Sequence, residues 1–300
     1  MTPTPAPPSR WPSLAWIIGL ALMLTLTYLP LLVWLGKMSW QITQLSTGAV
    51  LVIFTMIICL RDSIRTLRFH PTIHTLGIVL VGLGLVFLWL PRVINFPPLP
   101  LLLLSFCFSL AGIVSFGFGK LGIRQFMPAL GGFLVFGLLV GMFPALDWPL
   151  RAVAAKYAAA LMTTLGLPIE LRLILDGPPV LVLSLQGHNY IVATECNGFG
   201  LLTSALLLAT ILGFEYRLAV LKKVGMLLLA VPIAIGCNFL RIVSICYFAP
   251  RVPLSYHVVH EILGNLFYFA GLALVWQAAR WAAAPPRPVT APLTDQRTTT

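Results

Sequence analysis

Three residues of this chain have the types and spacing for covalent chemistry: Cys196, Arg241 and His260. Cys196 stands in "TECNGFG", directly before a long apolar run. At the N-terminus of the helix that this run predicts, unpaired N–H groups favour an anion. Such a position favours the thiolate form of a cysteine. The backbone N–H groups of Asn197 and Gly198 lie close enough to hold an oxyanion, whereas the neighbouring Glu195 opposes thiol ionisation unless it points away. Arg241 lies inside the apolar run 224–248, and an ionised group within such a run marks a functional position. Asn238, three residues earlier, shares its helical face. His257, His260 and Glu261 open the last apolar run. A histidine set against a cysteine is the minimum pair for a thiol nucleophile and its acid/base partner.

Each residue also has a bland reading. Arg241 is about two turns from the predicted helix end and could snorkel to the interface. The histidines could simply meet water. They follow neither His-Glu-x-x-His nor His-x-x-Glu-His spacing, so a zinc site has little support. Cys59, Cys107, Cys237 and Cys246 read as small apolar residues, and five cysteines without small-domain spacing imply no disulfide framework.

The elements that position these groups are membrane spans. The 300 residues are 59% hydrophobic and 9% charged, with a mean hydropathy of +0.97; a soluble domain carries roughly 25% charged residues. Runs near the ~20 residues needed to cross a bilayer place the chain in the polytopic membrane class. The predicted fold is an all-α bundle of about eight transmembrane helices: 11–35, 42–60, 76–90, 99–118, 126–143, 196–214, 224–248 and 257–279. The third is short enough to suggest tilt or partial embedding. The predicted organisation is a Pro-rich disordered segment 1–10, a single transmembrane domain 11–283 with a catalytic core of about 144–280, and a disordered Pro/Thr-rich tail 284–300.

Although the net charge is +11, the basic residues form no stripe and do not argue for nucleic acid. They alternate between loops as topology signals do. With the N-terminus inside, twelve Lys and Arg fall on the cytoplasmic side (Arg61, Arg65, Lys120, Lys222 and Arg280 among them). Six fall outside: Lys37, Arg92, Arg151, Lys156, Arg172 and Arg251. This predicts a plasma- or inner-membrane protein with both termini cytoplasmic. The segment 144–195 then lies outside. Its first part, "LRAVAAKYAAALMTTLG", reads as a helix in the interface plane. Its second part reads as a β-hairpin turning at Asp176-Gly177-Pro178-Pro179, with a further short strand at 189–192. On this topology Cys196, Arg241 and His260 sit at similar depth near the extracytoplasmic face, each on a different helix.

"ECNG" around Cys196, "NFLR" ending at Arg241 and "HEILG" starting at His260 together resemble the exosortase/archaeosortase family of integral-membrane cysteine transpeptidases. The likeness is firmest over about Leu165–Trp276 and rests on the order, spacing and topology of the three motifs. The run "AVPIAIGCNFLRIV" is also similar to the family's Pro-containing helix. One departure is that Glu195 directly precedes Cys196, where many members place a small residue between acid and cysteine. The resemblance implies substrates that are exported proteins ending in a short motif, a transmembrane helix and a basic cluster. It implies a Cys196 thioester, His260 as acid and base, and Arg241 stabilising the oxyanion or positioning the thiolate. The acceptor would be a lipid or glycolipid amine, or water, with no cofactor or metal required.

Two other readings compete. A transporter or polysaccharide-assembly factor would use Arg241, Glu195 and the histidines as a polar pathway, but the inner halves of the spans carry no ionisable residue to continue it. A purely hydrolytic membrane cysteine protease would use the same residues.

Overall fold

The computed structural model describes residues 11–67, 72–95, 97–167, 169–175, 180–185, 188–192 and 196–284. The expected disordered ends, the turn at 176–179 and Glu195 lie outside the described residues.

Seven helices and three strands make up the described chain: α1 (Trp11–Gln41), α2 (Thr43–Thr66), α3 (Thr75–Ile94), α4 (Pro98–Thr164), β1 (Ile169–Ile174), β2 (Val180–Leu185), β3 (His188–Ile191), α5 (Phe199–Glu215), α6 (Val220–Phe248) and α7 (Tyr256–Ala283). All but α5 are long and apolar enough to cross a membrane. The expected count of eight spans is therefore not reached as eight separate long helices. At 1.5 Å per residue the 17 residues of α5 cover about 25 Å, short of a hydrocarbon core of about 30 Å. The third span is longer than expected, at 20 residues.

The fourth and fifth expected spans share α4, whose 67 residues are far too many for one crossing. Gly119, at φ +64° and ψ −160°, breaks the helix. Glycine suits this turn because a Cβ disfavours positive φ. The two limbs then run antiparallel: Leu103 lies against Gly137, Leu99 against Gly141, and the Phe106 and Phe133 rings are 4.8 Å apart. The second limb continues to Thr164 with no further non-helical residue. The stretch expected to lie separately in the interface is thus the far end of this limb.

Around the limbs, helices close in where side chains are small. A Cβ on Gly77 would strike the Phe116 ring, and one on Gly84 would strike Ser109. Tyr28 of α1 bonds the buried Ser105, which donates to the Gly84 carbonyl at 2.6 Å. Such polar pairs satisfy groups that lipid cannot. Residues such as Ile18, Leu22, Met23 and Leu26 remain exposed at helical spacing, the expected face toward hydrocarbon.

The expected hairpin and the further short strand after it form one antiparallel meander in the order β1-β2-β3. Leu181, Leu183 and Leu185 alternate to one face of β2, as period 2 requires. They pack on Ala155, Ala158 and Met162 of α4 and on Ile242 and Cys246 of α6. The sheet, the end of α4, the start of α5, the end of α6 and the start of α7 thus share one end of the bundle.

Candidate active site

Cys196, Arg241 and His260 all lie at this sheet end, but Cys196 lines a different cavity from the other two. Arg241 is seven residues from the end of α6, and His260 is the fifth residue of α7. Ser255 caps α7, its Oγ accepting from the Val258 N–H at 3.4 Å. That cap fixes the first two turns, which carry Tyr256, His257, His260 and Glu261. An Arg241 guanidinium nitrogen (Nη2) meets His260 Nε2 at 3.0 Å. Arginine only donates, so Nε2 accepts and Nδ1 bears the ring proton. Glu261 Oε1 lies 3.7 Å from that Nδ1. His257 is exposed. The flat guanidinium packs over Gly264, where an added Cβ would sit 3.4 Å from it.

Arg241 and His260 share a polar cavity of about 220 Å³ with Gln44 and Thr47 of α2, Asn238 of α6 and Tyr268 of α7. Cys196 lines a different and much smaller cavity, about 20 Å³, with Leu183 and Tyr190 of the sheet, Cys246 and Tyr256. Two residues link the cavities. Asn238 Nδ2 donates to the Cys196 carbonyl at 3.0 Å. The Tyr256 ring stands 5.9 Å from both the His260 and the Tyr190 rings. Burial pushes the Tyr190 phenol above its ordinary pKa.

Cys196 does not open α5 as its sequence suggests. The helix starts at Phe199, and Gly198 caps it at φ +76°. Asn197 explains the delay: its Oδ1 accepts from the Phe199 N–H at 2.7 Å, standing in for the missing helical carbonyl. Asn197 is 3% exposed, and its Nδ2 donates to Asp147 Oδ1 of α4 at 2.6 Å. Asp147 also pairs with Arg151 one turn on. Sequence reasoning missed both Asp147 and Tyr256. An i, i+4 acid–base pair in a mostly apolar helix was the available signal for Asp147; nothing local marks Tyr256.

The model of a known protein family, described as Transmembrane exosortase (Exosortase_EpsH), matches residues 40–277. The chain belongs to the transmembrane exosortase family. No curated protein and no solved structure matches it. Exosortases act in membranes on sorting signals, and that role at this level is the chain's own. The matched range takes in every site residue named above, including α2, whose Gln44 and Thr47 line the polar cavity.

A third cavity, about 390 Å³ and mostly apolar, lies between α4 and α6 with Asn197, Gly198 and Asn238 in its wall. Gly198 and Asn238 therefore separate an apolar cavity from the polar one.

Proposed function

We propose that this exosortase is a cysteine transpeptidase that cleaves the C-terminal sorting signal of exported proteins and transfers them to an acceptor. The observation carrying this reading is the 3.0 Å contact between Arg241 and His260 beside the clamped loop that bears Cys196. A cation, an acid/base group and a thiol on three separate elements are what a thioester mechanism needs. The reaction takes place on the extracytoplasmic side. The substrate carries a short motif, a transmembrane helix and a basic cluster.

In the resting arrangement Arg241 occupies His260 Nε2. Release of that nitrogen lets His260 take the Cys196 proton. The guanidinium, repelled by the new imidazolium, turns to the oxyanion that forms when the thiolate attacks the peptide carbonyl. The imidazolium then protonates the leaving amine as the C–N bond breaks, which leaves a thioester. In the second half, His260 takes a proton from an acceptor amine, on a lipid or glycolipid, or from water as it attacks the thioester. The C–S bond breaks, and the thiolate recovers the proton.

Cys196→Ala is expected to lower processing of a co-expressed substrate by ~10³-fold or more, with normal protein level and membrane insertion. Cys196→Ser should be nearly as damaging, because a hydroxyl is a far poorer nucleophile at neutral pH. Processing that survives Cys196→Ala overturns the reading; a transporter would tolerate the serine. Mass spectrometry of the product's new C-terminus separates transfer, which adds an acceptor mass, from hydrolysis.

A further inference from the structure

The loop Cys196–Gly198 is clamped from two sides. On one side Asn238, 4% exposed, holds the Cys196 carbonyl. On the other, the buried Asn197 amide spends both ends: Oδ1 on the first N–H of α5 and Nδ2 on Asp147. Asp147 divides its carboxylate in the same way. Oδ1 takes the Asn197 amide and Oδ2 takes Arg151. The two bonds use different oxygens of one carboxylate, and the bond to Asn197 holds the amide. Gly198 cannot relax toward α6, because Asn238 already fills the space a Cβ would take.

We infer that Asp147 is a positioning residue for the Cys196 thiol, acting through Asn197 from 50 residues away in sequence. It does not touch the reacting atoms. Its carboxylate gives the buried amide a charged acceptor, stronger than a neutral one, and so holds the peptide that follows Cys196 in one orientation. Without Asp147 the Asn197 Nδ2 loses its partner in a buried place, a loss that drives the amide to turn elsewhere. The cap on α5 and the thiol's direction change with it. Any catalytic consequence rests on the transpeptidase reading above; the geometric claim does not.

The test therefore reads the thiol directly. The full-length protein, purified in detergent, is alkylated with iodoacetamide across a pH series. Mass spectrometry follows the peptide bearing Cys196, which separates it from the other four cysteines. Asp147→Ala and Asp147→Glu (the latter displacing the carboxylate by one methylene with the charge kept) are each expected to change the Cys196 alkylation rate by ~3-fold or more, the small end of orientation effects. Asp147→Asn, which keeps an acceptor for Asn197 but not the charge, should bring the rate and pH profile back from those of Asp147→Ala toward wild type. Arg151→Gln, which keeps the Asp147–Asn197 bond, should stay within the wild-type range. A wild-type rate and profile in Asp147→Glu overturns the inference, and so does an Asp147→Asn profile that matches Asp147→Ala. Should Asp147→Ala fail to fold, the Glu and Asn variants decide alone. Where processing is also measured, the wild-type protein supports the transpeptidase reading only if it is active. The alkylation result stands whether or not it is.

Discussion

At the residue scale the decisive contact is directional. Arg241 Nη2 donates to His260 Nε2 at 3.0 Å while the rest of the guanidinium lies flat over Gly264. A lysine keeps the charge but has neither the plane nor the fork. Arg241→Lys is therefore expected to lower kcat/KM for substrate processing by ~10²-fold, the loss typical of one oxyanion donor. His260→Ala should abolish processing, whereas His257→Ala, at an exposed position, should leave it close to wild type. The reverse ranking of the two histidine variants would move the acid/base role to His257. Cys196, Arg241 and His260 were legible as candidates because each is chemically out of place among Leu, Val and Ile. Asp147 was not, since its meaning comes from Asn197, on another helix's cap, and only folding joins the two. Tyr256 was hidden for a similar reason: a tyrosine at a helix start is unremarkable until it stands between the small cavity of Cys196 and the ring of His260.

At the element scale the site depends on where helices stop. Apolar runs foretold α6 and α7 to within about four residues and α2 to within about six. They could not foretell that α5 would begin at Phe199, because that boundary is set by the Asn197 amide and by Gly198 at φ +76°. Nor could they foretell that the fifth span and the expected interfacial helix form one continuous limb, since Pro128, Pro144 and Pro149 lie inside it and proline usually ends or kinks a helix. Gly198 lends itself to a two-part substitution. Gly198→Ala adds backbone strain at positive φ, of order 1–3 kcal/mol, and sets a Cβ 2.6 Å from Asn238 Cγ. Gly198→Asn tolerates the positive φ better but brings the same Cβ. Both variants should lower the thermal unfolding midpoint in detergent and remove processing. Clear recovery in the asparagine variant would show that backbone strain, not the space held by Asn238, governs the loop.

At the scale of the whole molecule, the sheet end and the opposite end differ in charge. Arg61, Arg65, Lys120, Arg124, Arg217, Lys222, Lys223 and Arg280 cluster where α2, α5 and α7 end, where α4 turns and where α6 begins. Lys222 there donates to the Ala282 carbonyl at 2.7 Å, tying α6 to the last turn of α7. The sheet end carries the folded β element and the last turns of a limb too long for the bilayer: its 45 residues after Gly119 reach about 67 Å at 1.5 Å per residue. Basic residues are retained on the cytoplasmic side, so the expected orientation, on which the proposed function depends, turns the sheet and Cys196 away from the cytoplasm. Single cysteines at two exposed positions check this: Leu175→Cys beyond β1, 69% exposed, and Leu221→Cys at the start of α6, 83% exposed. In intact cells a membrane-impermeant maleimide should label the first and reach the second only after permeabilisation. The opposite pattern would put the thiol in the cytoplasm, where a protein already exported could not reach it, and a sorting role for this chain would fail on topology alone, whatever the chemistry of Cys196, Arg241 and His260.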